Sequence, residues 1–185
     1  MPDSEITELR PDSPFLLDNV TCWYCGRHFD EPGVVRTREH TIARRFVPRG
    51  MLDRQWNLIG WACSECNGRK ADLENDLSAI SMQPDAFGRY ADTDDGLKAE
   101  AARKAINSFS RRTRKPVNES AENFVLKASF APGADFEFTA TSAPQASPER
   151  VYELARMQLM AFFYFLTFQK STGRGGFWRG GFFPI

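Results

Sequence analysis

Cys22-Trp23-Tyr24-Cys25 and, further along the chain, Cys63-Ser64-Glu65-Cys66-Asn67-Gly68-Arg69-Lys70 are the stretches whose reading decides the fold. Two residues between thiols let both sulfurs of a tight turn reach one ion at about 2.3 Å. Two such pairs complete a tetrahedron with no open position, so the ion expected on Cys22, Cys25, Cys63 and Cys66 is structural zinc. An iron held in the same way, for which Cys25-Gly26 is a cue, is the competing reading. A small domain with few strands would draw folding free energy from that ion.

Between the pairs lie Thr37-Arg38-Glu39-His40 and Asn57-Leu58. Hydrolysis of a phosphodiester needs a base of near-neutral pKa and, commonly, a divalent ion against the charge of the scissile phosphate. His40 has the chemistry of the base. Glu39 can ligate an ion if the end of its strand is twisted or bulged. Asn67, at the start of the following helix, offers a neutral oxygen. His28, the other histidine, sits in an expected hairpin with Pro32-Gly33 at its turn, and reads as structural or surface.

The net charge of +0 hides an uneven distribution. Residues 1–20 carry five acidic groups against Arg10 alone. Residues 35–70 carry eight basic groups, and residues 98–115 seven against Glu100. Arg36, Arg38, Arg44, Arg45, Arg49 and Arg54 flank the stretch around His40. Arg103, Lys104, Arg111, Arg112, Arg114 and Lys115 form a second cluster. Local basic segments are what phosphate binding requires, although solvated charged faces look the same in a sequence.

The constellation resembles the HNH, or His-Me finger, endonucleases, whose pattern is an acidic-His pair, then Asn, then Cys-x-x-Cys-His/Asn-x-x-Lys. Glu39-His40, Asn57 and Cys63-x-x-Cys66-Asn67-x-x-Lys70 match it, within residues 20–75. The resemblance implies a two-stranded hairpin and a helix around one metal, with His40 as general base and Glu39 and Asn67 holding a catalytic Mg²⁺ or similar ion. It implies that Asn57 pins the loop that orients His40. Lys70 would lie near substrate phosphate, with Arg38, Arg44, Arg45 and Arg69 along the nucleic acid. The implied activity is hydrolysis of nucleic acid, most simply double-stranded DNA; a zinc-knuckle binding protein without catalysis is the alternative.

The rest of the chain supports an α+β class: a zinc-stapled ββα-metal module with an α/β C-terminal extension. Residues 1–19 read as a flexible arm, 20–80 as the nuclease module and 81–185 as the extension. Ala71, Leu73, Leu77 and Ile80 predict a helix after Cys66. Leu97, Ala101, Ala105 and Phe109 predict a second, stopped by Pro116. Two strands are expected near 124–130 and 136–141, joined through Ala131-Pro132-Gly133-Ala134. Ser147-Pro148 predicts the start of a helix running to about Gln169, apolar nearly all round and therefore buried or an oligomer face. The acidic, proline-containing start is unlike a signal peptide, and residues 154–168 are too short to span a bilayer. The expected compartment is the cytoplasm, where close cysteine pairs favour metal over disulfides.

Overall fold

The computed structural model describes residues 10–47, 54–85, 87–90, 94–131 and 133–178. Chain contacts divide it into two compact units, one from 1–71 and 152–185, the other from Asp72–Val151. The divisions fall inside helices rather than after residue 80, where the sequence suggested a boundary. The class is α+β, as expected.

The first unit is built around a sheet ordered β1-β3-β2, of Phe15–Leu16, Leu58–Cys63 and Arg36–His40. β3 is central, with Leu58, Ile59, Gly60, Ala62 and Cys63 all buried, so its run is continuously apolar rather than alternating. β2 pairs antiparallel to it from Arg36 opposite Cys63 to His40 opposite Ile59, with no bulge. β1 lies parallel on its other edge. The arm expected over residues 1–19 is therefore part of the sheet from Phe15 onward. Leu17 is buried, and its N–H donates to the Ile59 carbonyl at 2.7 Å.

Buried Asn19 ties the next turn to the sheet by donating to the carbonyls of Thr21 and Trp61 and accepting from the Trp61 N–H. Trp23 is fully buried against the backbone of β3. A Cβ at Gly60 would lie 2.3 Å from its ring, so only glycine allows this approach. β3 runs directly into helix α1, Ser64–Ser81, three residues ahead of the expected start. The second half of helix α3, Pro148–Leu166, belongs to the same unit. Its Tyr164 hydroxyl meets Thr21 Oγ1 at 2.8 Å, and Phe165 meets Phe15 edge-on at 5.1 Å. Leu154, Met157, Met160, Ala161 and Tyr164 are buried, but Val151, Leu159, Phe163 and Leu166 are exposed. The helix is amphipathic rather than buried on every side.

In the second unit, helix α2 covers Asp95–Asn107, opened by the Asp94 side chain accepting from the Leu97 N–H. Ala79, Ala105 and Val117 form its small core. Arg150 donates to Asp72 Oδ2 at 3.0 Å and Asp76 Oδ1 at 2.8 Å, closing α3 onto α1 within this unit. Strands β4 (Glu122–Ala131) and β5 (Ala134–Ser142) form a separate antiparallel ribbon, longer than the sequence suggested.

Candidate metal centre and the His40 site

Both cysteine pairs sit where the backbone turns sharply. Cys22 to Gly26 is a tight loop in which the Gly26 N–H donates to the Cys22 carbonyl at 2.9 Å, with Gly26 at φ 80°. The second pair straddles the junction of β3 and α1, Cys63 closing the strand and Cys66 in the first helical turn. One Sγ from each residue lies within 4.8 Å of all the others.

A tetrahedral thiolate site with bonds of about 2.3 Å has sulfur–sulfur edges of about 3.8 Å. The Cys25 and Cys63 sulfurs are 3.8 Å apart. Four cysteines are thus brought together in a set that could hold a metal ion.

Their protonation shows the same crowding. The Cys66 thiol donates to Cys22 and holds that thiol down to about 5, while Cys66 itself is pushed up. Burial pushes Cys25 up. Four sulfurs this close cannot all shed their protons unless a cation stands among them. Arg27 adds positive charge beside the cluster, donating to Cys63 Sγ at 3.3 Å and pairing with Glu65. The sequence reading missed Arg27; its signal was a guanidinium two residues beyond Cys25.

His40 ends β2. Its Nε2 is buried and has no hydrogen-bond partner among the described residues. Burial, helped by Arg44, Arg38 and Lys70, holds the imidazole down at about 4. The ring is therefore neutral at pH 7. Asn57 acts on the segment that follows: its Nδ2 donates to the Ile42 carbonyl at 2.8 Å and its Oδ1 accepts from the Ile42 N–H at 3.2 Å.

The remaining residues of the expected site are placed differently from that expectation. Strand alternation turns Glu39 inward, away from the His40 ring, and the regular pairing of β2 supplies no bulge to bring them together. Glu39 Oε1 lies 2.6 Å from Lys70 Nζ, with the side chains 7% and 1% exposed. Lys70 also donates to the His40 carbonyl at 2.8 Å, and the Tyr24 hydroxyl donates to Glu39 at 3.4 Å. Lys70 is therefore an interior residue, not one facing phosphate. Asn67 spends its amide nitrogen on Thr37 Oγ1 at 3.0 Å and the Arg38 carbonyl at 3.2 Å. His28 is structural, its Nδ1 accepting from the Asp30 N–H.

Many of the basic residues are already engaged. Arg36 pairs with Asp18, Arg69 with Glu153, Arg111 with Asp72 and Arg112 with Glu122. Arg103 and Lys104 both reach Glu100, and Arg45 donates to the Ala71 carbonyl. Arg38 and Arg44 are exposed and have no ion-pair partner among the described residues. Arg49 lies outside the described residues. No helix among the described residues is long and apolar enough to cross a membrane.

Comparison of the chain with protein-family models, with curated proteins and with solved structures finds no match.

Proposed function

We propose that this chain is a zinc-stapled endonuclease of the HNH kind, hydrolysing phosphodiester bonds in nucleic acid, with duplex DNA as its simplest substrate. The observation that carries the reading is the His40 ring: neutral, its Nε2 buried and unpartnered, with Arg38 and Arg44 beside it. Burial is the larger cause of the lowered imidazole pKa; a phosphate drawn to those arginines would offset their share of it and raise the imidazole part of the way toward the range of an effective base. His40 would then take the proton from attacking water. Asn57 would hold the segment after His40 in place through both polar groups of Ile42.

Zinc is the ion that four thiolates at this spacing suit, and it would staple the Cys22–Cys25 loop to the β3–α1 junction. With four protein ligands it would be a structural ion, stabilising the base of the hairpin that carries His40.

A catalytic divalent ion is a different matter. Glu39 is committed to Lys70, and the Asn67 amide nitrogen to Thr37 and Arg38. The Asn67 bonds use its nitrogen and not the Oδ1 that would ligate, but with the Glu39 carboxylate held by Lys70 the two residues do not fit such an ion as they are arranged. The same Glu39–Lys70 pair favours the second reading, a zinc-dependent nucleic-acid-binding module without catalysis.

Supercoiled-plasmid cleavage separates the two. Wild type and His40→Ala are compared with Mg²⁺, with Mn²⁺ and with a chelator too weak to strip a four-thiolate site. The nuclease reading expects nicking or linearisation by wild type and its loss in the variant, with zinc content and circular dichroism unchanged. Retention of DNA on a filter by both proteins, with cleavage by neither, establishes the binding module. Equal cleavage by both removes His40 from the chemistry.

A further inference from the structure

The β4–β5 ribbon has two faces of opposite character. Directly paired residues share a face. On one side Phe124 stands opposite Ala140, Leu126 opposite Phe138 and Ala128 opposite Phe136. On the other Asn123 stands opposite Thr141, Val125 opposite Thr139, Lys127 opposite Glu137 and Ser129 opposite Asp135. The second face is satisfied by its own side chains: Lys127 and Glu137 pair at 2.9 Å, and Thr141 donates to Asn123 at 2.8 Å. The first face is apolar from Phe124 to Phe130; only at its base does it turn polar, where Glu122 stands opposite Ser142 and pairs with Arg112 at 2.8 Å. At its tip an irregularity between Ser129 and Ala131 leaves the Phe130 ring edge-on to Phe136 at 5.6 Å.

Such alternation normally turns the apolar side to a core. Here Phe124 is 42% exposed, Leu126 42%, Phe130 77%, Phe136 58% and Phe138 53%. A two-stranded ribbon bare on its apolar face is marginal in water, and a contiguous apolar patch of this kind marks an interface.

We propose that a second copy of this chain covers this face, ribbon against ribbon about a two-fold axis. Three properties choose that occupant. Its stretch from Phe124 to Phe130 carries no charge, and Glu122 at its base is already paired with Arg112, so two identical copies meet without like-charge repulsion and a charged partner gains nothing from it. Its cross-strand pairs set a large ring beside a small residue at Phe124–Ala140 and Ala128–Phe136, so rings of one copy have room over the alanines of the other. Its extent also suffices: at roughly 200 Å² for a whole aromatic side chain, the exposed fractions amount to about 500 Å² a copy. Two copies would bury about 1,000 Å², the lower end for a specific interface. The second copy is placed on the ribbon rather than on helix α3, whatever the chemistry at His40.

Sedimentation equilibrium of the full-length, metal-loaded protein from about 1 to about 200 μM tests it, with a dissociation constant in the micromolar range expected. Phe138→Asp places an unpaired carboxylate in the interface once per copy and should raise the dissociation constant about 100-fold or more. Thr139→Asp, its neighbour on the polar face, should leave association unchanged. Both variants should keep the circular dichroism of the wild type, since these side chains touch solvent in the single chain. Phe130→Asp, at the most exposed position, replaces Phe138→Asp if the latter misfolds. A monomer throughout the range overturns the proposal. So does a dimer that survives Phe138→Asp or one that Thr139→Asp disperses equally.

Discussion

Replacing Lys70 by methionine keeps most of the side-chain volume and removes one charge from a buried pair. Its Nζ lies 2.6 Å from Glu39 Oε1 and 2.8 Å from the His40 carbonyl, and the side chain is 1% exposed. The variant leaves a carboxylate in the interior without its cation, and the Tyr24 hydroxyl, at 3.4 Å, is too distant a donor to replace it. Breaking one side of a buried pair costs about 3–5 kcal/mol. In a chain of this size each kcal/mol lowers the melting temperature by about 2–4 °C, so Lys70→Met should melt about 6–20 °C below wild type. The double variant Lys70→Met/Glu39→Leu removes both charges and should recover most of that loss, because apolar replacement of a whole buried pair is often neutral. Urea unfolding of the four proteins, with metal present, gives the coupling energy directly. A loss under about 1 kcal/mol for Lys70→Met, or simple additivity of the two substitutions, refutes this role for the pair. A Lys70 that faced phosphate would give the opposite pattern: unchanged stability and a shallower salt dependence of nucleic-acid binding.

Three further outcomes are expected. The protein as purified should carry one zinc per chain; a strong chelator or Cys22→Ser should abolish cooperative melting of the first unit, since structural zinc contributes on the order of 10 kcal/mol in small modules. Gly60→Ala drives a methyl to 2.3 Å from the Trp23 ring and should cost about 3 kcal/mol or more by urea unfolding, whereas a loss below about 1 kcal/mol would place Trp23 elsewhere. If Arg38 and Arg44 are the arginines that meet phosphate, the logarithm of the DNA association constant should fall against log salt with a slope of about −2 per chain. A slope of about −4.5 would mean that Arg36, Arg69 and Arg111 release Asp18, Glu153 and Asp72 on binding.

The parts of this fold legible in the sequence are those set by close neighbours in the chain. Thiols with two residues between them must sit on tight turns, so spacing marks Cys22–Cys25 and Cys63–Cys66 as two knuckles, and the fold brings them into one cluster. The same holds for α1 after the second knuckle, for the Asp94-capped α2, and for the alternating strands of the ribbon. What the sequence hid depends on distant partners. β3 pairs with the Phe15–Leu16 segment, a partner that a two-residue strand does not advertise. The division of the chain falls inside α1 and α3 because Asp72 and Asp76 are held by Arg150, far along the sequence.

The Glu39–His40 dipeptide shows how a motif can be read correctly as residues and still misplace a side chain. A motif states which groups are present; the pleat states which way they point. With β2 regular to its last residue, adjacent side chains diverge, one toward α1 and one toward Arg38 and Arg44. Lys70, one helical turn beyond Asn67, meets the inward one and neutralises it. The pair also fixes the His40 backbone: the same ammonium that holds Glu39 donates to the His40 carbonyl at 2.8 Å, while Asn57 holds Ile42 two residues further on. The backbone around His40 is thus held at His40 and at Ile42 while its Nε2 has no hydrogen-bond partner among the described residues, which is the arrangement the proposed role of His40 as base needs.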